Sequence, residues 1–269
     1  SGSSAVAAMV GLGLGMVLYM FLMIYGAMVM QSVIEEKSSR VLEVVVSSVR
    51  PFELMMGKIF GVASVAVVQV LIWAVLVCGA GAAVMPHVLP DGAMEAAAAL
   101  QQGGGAATAA AGDFDPETLG AIALATDVGY LAMLFGYLLL FVVGGYLLYS
   151  AMFAAVGSAV DNAQDAAQLQ TPIMIPIILA VIVEMSVLND PNSPLAFWFS
   201  LIPFTSPVVM MARIPYGIPT WEIVLSLVLL YAAFVGMVWL SAKIYRVGIF
   251  MYGKKPTLRE MFRWIRYKY

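Results

Sequence analysis

The chain has 269 residues, of which 62% are hydrophobic and only 11% charged, with a mean hydropathy of +0.95 and a formal net charge of −3. Soluble domains run at about half apolar and about a quarter charged, so this composition excludes an ordinary water-soluble domain. One cysteine, Cys78, and one histidine, His87, leave no intrachain disulfide and no cysteine or histidine metal site, and no catalytic group stands out.

A helix needs about 20 mostly apolar residues to cross a hydrocarbon core of about 30 Å. Five segments meet that length: Ala5–Gln31, Phe52–Val84, Val128–Val160, Leu169–Leu188 and Trp221–Arg246. Their apolar residues run continuously instead of alternating, which argues for helices and against a barrel of strands. The expected fold is all-α and integral to the membrane, one domain over residues 1–269. Its expected connections are a cytoplasmic helix at 33–47, external loops at 85–127 and 189–220, and a cytoplasmic tail at 247–269.

In chain order, the first span carries Gly11-x-x-x-Gly15, a spacing that lets helix backbones approach closely. The charged island Val33–Lys58 follows. Drawn as one helix, Val33–Val46 places Ile34, Val41, Leu42 and Val45 near one stripe. Glu36, Arg40 and Glu43 fall on the other, at i, i+4 and i+7. A Glu36–Arg40 pair would support that helix by about 0.2–0.5 kcal/mol. Pro51 starts the next helix, Lys58 can snorkel to the headgroups, and Gly57-x-x-x-Gly61 repeats the close-packing spacing.

The loop after the second span is acidic, with Asp91, Glu95, Asp113, Asp115 and Glu117, and its Ala/Gly-rich stretch Ala93–Gly112 reads as mobile. The third span holds Tyr130, Tyr137, Tyr146 and Tyr149, which either line a vestibule or pack. Asp161 with Gln164 reads as a capping box for the fourth span, which Pro172 and Pro176 should bend. Glu184 is the one acid well inside an apolar run; it sits either at the outer interface or on a substrate or ion pathway. Ser193-Pro194 and Ser206-Pro207 both read as helix starts. They frame a short aromatic hairpin that either re-enters the membrane as an external gate or lies flat on it. Phe204, Ser206, Pro207 and Arg213 are the residues of that gate.

Twelve of the thirteen Lys and Arg residues fall on one face of a five-span topology, and only Arg213 on the other. Positive charge marks the cytoplasmic face, so residue 1 is expected outside and the C-terminus inside. An outside N-terminus without a preceding helix suggests at least one further span upstream. Gly248-Ile-Phe-Met-Tyr-Gly253-Lys254-Lys255 nearly spells a phosphate-binding loop. It lacks the Ser/Thr and follows a membrane helix instead of a strand, so no nucleotide site is expected in this chain. The basic tail Arg259–Lys268, with its aromatic residues, suits an anionic inner leaflet better than nucleic acid.

The island VIEEKSSRVLEVVVSSVRPFELMMGKIFG resembles the cytoplasmic segment of type-2 ABC exporter permeases of the NatB-like sodium-export group. Ile202–Ile214 resembles that group's outer hairpin, and Tyr245–Pro256 its exit from the membrane. The resemblance implies a separate ABC ATPase docking on Glu35, Glu36, Lys37, Arg40 and Glu43, with ATP and Mg²⁺ held by that partner and no cofactor here. It also implies a second permease copy or homologue, an earlier span with an external domain, and a place in a bacterial inner membrane. The substrate stays open among Na⁺, drug-like and lipid-like cargo. A gradient-driven carrier or channel using Glu184 is the alternative from another class.

Overall fold

The computed structural model describes residues 2–101 and 115–267, which are helical and contain no strand. The helices are α1 (Gly2–Ser38), α2 (Val41–Val46), α3 (Pro51–Val88), α4 (Ala93–Gln101), α5 (Pro116–Thr126) and α6 (Val128–Ala159). They continue as α7 (Ala163–Val187), α8 (Pro194–Leu201), α9 (Ser206–Arg213), α10 (Thr220–Gly248) and α11 (Leu258–Trp264). Five of them, α1, α3, α6, α7 and α10, are long and apolar enough to cross a membrane, in agreement with the five expected spans.

α6 is the axis of the bundle. Half of its most apolar stretch is buried inside the protein, against 22% for α3 and 17% for α10, so α3 and α10 give most of their surface to lipid. α1 and α10 pack along α6 on different flanks, and α3 adds to the same core. Lipid offers no hydrophobic force between helices, so close backbone approach and interhelical hydrogen bonds hold them. Both are present. A Cβ at Gly157 would stand 2.8 Å from Met30 O of α1, and one at Gly144 2.7 Å from Leu230 of α10. Tyr146 donates to Ile59 O at 2.7 Å, Tyr231 to Leu140 O at 2.9 Å, and Tyr25 to Gln69 at 2.8 Å. Tyr146 and Tyr149 are therefore buried packing groups and not the lining of a vestibule.

Two expectations change at the loops. The stretch beginning at Ala93 opens with the regular helix α4, which packs on α5 by burying Ala93, Ala97 and Ile122. The remainder of the expected mobile segment, 102–112, lies outside the described residues. Asn162, not Asp161, caps α7, accepting from Asp165 N at 2.9 Å. Asp161 is used elsewhere, as described below.

The two Gly-x-x-x-Gly motifs separate. A Cβ at Gly11 would collide with the Ala212 carbonyl of α9, whereas at Gly57 or Gly61 it would meet nothing within 4 Å. Gly11→Val should therefore lower the stability of the detergent-solubilised protein by about 1–3 kcal/mol. Gly57→Ala should be neutral or slightly stabilising. Thermal unfolding of the two variants checks both, and equal midpoints would contradict the observed crossing of α1 and α9.

Candidate functional site

The charged island does not form one helix. The first span continues to Ser38 because Val33 and Ile34 still face the core, 0% and 3% exposed. There the Ser38 and Ser39 hydroxyls turn back to Glu35 O and Glu36 O, at 3.0 and 3.3 Å, and compete with the helical ladder. Arg40 then takes a left-handed conformation, φ 58°, which a bulky residue rarely adopts. The chain turns sharply into the short α2. The expected Glu36–Arg40 pair is broken by this turn, and Glu36 instead pairs with Lys58 at the start of α3.

The five expected docking residues therefore part company. Glu35, Arg40 and Glu43 are exposed, Glu36 is half-buried, and Lys37 is wholly buried. The Lys37 ammonium donates to Ser158 O at 2.8 Å and Gly248 O at 2.9 Å, and lies 3.2 Å from Asp161 Oδ1 and 5.4 Å from the centre of the Tyr252 ring. Ser158 and Gly248 sit in the last turns of α6 and α10, where carbonyls lack helical partners and the helix dipole favours a cation. Lys37 is thus a clasp joining the ends of three spans. Asp161 is fixed in turn by Gly253 N at 2.6 Å, and a second bridge, Lys255–Asp165 at 2.8 Å, crosses the same region.

The apolar side of the island also differs. Leu42 is the anchor of α2, but Val41 is 48% exposed, not in line with Ile34 as a single helix would place it, and Val44 beside it is 72% exposed. α2 presents two valines, Arg40 and Glu43 together at the basic end of the bundle.

At the other end, α8 and α9 form a hairpin that penetrates the bundle. Ser193 caps α8 as expected, accepting from Ala196 N at 3.2 Å. Ser206 does not cap α9: it is the first residue of that helix, its hydroxyl has no described partner, and Thr205 precedes it with its hydroxyl turned to Phe199 O at 2.6 Å. The hairpin tip reaches the middle of α6, where Phe204 O accepts from Tyr149 and Pro207 fills the notch at Gly145. All eight residues of α9 are buried, so it lies inside the bundle and not along its surface.

Arg213, at the end of α9, is 1% exposed and pins the hairpin. It donates to Pro191 O at 2.8 Å and Ser200 Oγ at 2.6 Å, and pairs with Glu222 of α10 at 2.9 Å. Glu222 carries a signal in the sequence: Arg213, the lone cation on the acidic side, is followed by one acid in the first turn of the next span.

Glu184 is 0% exposed, and neither carboxylate oxygen has a hydrogen-bond partner among the described residues. It fills the space left by Gly15, where any Cβ would collide with its carboxylate. Glu184 lies within the protein, on the face of α7 turned to α1, near the end of α7. Tyr130 and Tyr137 pack at the edge of the core, and no hydrogen bond joins either to Glu184. Among the described residues no cluster of acids, histidine or cysteine is suited to a metal ion.

Five helices long and apolar enough to cross a bilayer, tied by a polar clasp at one end and an inserted hairpin at the other, mark an integral membrane protein. The chain belongs to the ABC-2 family of transporter proteins, which it matches over residues 2–243. The chain is 27% identical over 246 residues to the uncharacterized protein YhaP of Bacillus subtilis (strain 168), covering 91% of this chain and 52% of that protein. It is 27% identical over 254 residues to the uncharacterized protein MJ1024 of Methanocaldococcus jannaschii, covering 94% and 52%. The chain thus spans about half the length of the curated relatives it matches. No solved structure matches it.

Proposed function

We propose that this chain supplies the membrane path of an ATP-driven exporter and that a separate ABC ATPase docks on α2. The observation that carries the proposal is the coexistence of an exposed element and a buried clasp. α2 offers Val41, Val44, Arg40 and Glu43 to a partner. Three residues before its turn, Lys37 ties the same segment to the ends of α6 and α10. A push on α2 is thereby transmitted to three spans. In this reading the basic end is cytoplasmic, ATP and Mg²⁺ sit on the partner, and two permease copies complete the transporter in a bacterial inner membrane. The NatB-like subgroup, with its earlier span and external domain, belongs to the same proposal, and the cargo is a cation, a drug-like molecule or a lipid.

The test is co-purification of the full-length protein with its ATPase from native membranes. Arg40→Glu with Glu43→Arg should cut retained ATPase activity at least about ten-fold while the bundle keeps its unfolding midpoint. Unchanged docking would remove α2 from the interface. A second reading, a gradient-driven carrier, is favoured by one observation, the unpartnered Glu184 inside the bundle. Flux that persists without any ATPase subunit and follows an ion gradient would select it.

A further inference from the structure

α7 and α10 both lean on α6 but hardly touch each other. Between them lies a cavity of about 300 Å³, large enough for a ligand. Met152 of α6, Phe204 of the hairpin tip, Pro176 and Ile244 line it, and the exposed Leu258 and Phe262 of α11 border its mouth at the basic end. Ser241 is the one polar side chain in the lining. The slot opens on the flank of two spans, where lipid is the solvent.

Its basic end carries charge of one sign. Arg259, Arg263 and Arg266 follow one another at i, i+4 and i+7, so they share a stripe of α11 and its last turn. They cluster around Phe262, the same ring that walls the slot. All three are exposed, and none makes an ion pair with a described residue. Glu260, the acid among them, is occupied in capping Thr257 N at 2.9 Å. α11 itself is anchored by the buried Met261 and Trp264, so the arginines are held at the mouth.

We propose that this slot binds an anionic glycerophospholipid, with an acyl chain between α7 and α10 and the headgroup phosphate on Arg259, Arg263 and Arg266. The match is one of polarity along a line. The site is apolar over its whole depth and cationic at one end, and the ligand has a long apolar body and one anionic head. Guanidinium groups suit phosphate because they donate in pairs. A helix of a second protein chain, about 10 Å across with its side chains, is too thick for a slot of about 300 Å³, whereas an acyl chain is not. The proposal rests on the bilayer placement of the bundle and not on the ATPase reading. The two can fail separately.

The test is native mass spectrometry of the full-length protein in mild detergent, titrated with phosphatidylglycerol and phosphatidylcholine of equal chain length. The wild type should retain phosphatidylglycerol about 100-fold better, each Arg→Gln change lowering that preference by about five-fold. R259Q/R263Q/R266Q should bind both lipids equally. Ile173→Trp, which fills the slot with the arginines intact, should abolish retention, and Leu258→Asp at the exposed mouth should do the same without altering the core. Retention unchanged in both slot variants would show a surface charge patch and overturn the proposal. So would displacement of the lipid by an equal concentration of inorganic phosphate, or no preference between headgroups in the wild type.

Discussion

Lys37→Met should lower the unfolding free energy of the bundle by about 3 kcal/mol. Methionine fills the same slender volume but carries no donor. The carbonyls of Ser158 and Gly248 would be left facing a thioether, and each orphaned buried acceptor costs about 1–3 kcal/mol. Breaking a buried ion pair costs about 3–5 kcal/mol. The lower end applies here because Asp161 is 31% exposed and water can reach its carboxylate. Asp161→Asn separates charge from hydrogen bonding: it can still accept from Gly253 N and should cost only about 1 kcal/mol. Denaturant or thermal unfolding in detergent distinguishes the two. Equal midpoints for wild type and Lys37→Met would remove the clasp from the account of how α1, α6 and α10 are joined.

Glu184 should show the opposite sign. A buried carboxyl without a hydrogen-bond partner is a cost to the fold, and exchange for an apolar group of similar size is often stabilising by about 1–4 kcal/mol. Glu184→Met should therefore raise the unfolding midpoint. If the residue serves transport, the same variant, and the isosteric Glu184→Gln, should reduce flux through the reconstituted full-length transporter at least about ten-fold. Gain of stability with loss of activity is the signature of a group kept for function. The stability arm needs no knowledge of the cargo. A destabilised Glu184→Met would mean that the carboxyl has a structural partner, and unaltered flux in a folded Glu184→Gln would end the pathway hypothesis. Gly15→Val offers an independent route, since its side chain must displace the carboxylate from α1.

The spans were readable because length and continuous apolarity determine them one segment at a time. The start of α8 was readable because Ser193-Pro194 acts locally. What escaped depends on neighbours distant in sequence. The 33–46 pattern suits an isolated amphipathic helix well. Whether the helix stops before or after Lys37 is decided by Val33 and Ile34 packing into the core and by carbonyls 121 and 211 residues away. Ser206 looks like Ser193 in sequence, yet the buried start of α9 turns its neighbour Thr205 toward α8. Glu184 is visible as an acid in an apolar run, but its burial follows from the gap at Gly15, and a glycine does not announce which helix it faces. Gly57 and Gly61 share the spacing of Gly11 and Gly15 and touch nothing.

α1 runs without interruption from one end of the bundle to the other, clasped at Lys37 and seated on Glu184 at Gly15. At roughly 1.5 Å per residue these two points are about 33 Å apart. With Lys37 as the fulcrum, a tilt of about 5° would swing Gly15 by about 3 Å, the width of a water molecule. A helix this long acts as a lever, and a small rotation at the basic end is enough to wet or dry the carboxylate near the other.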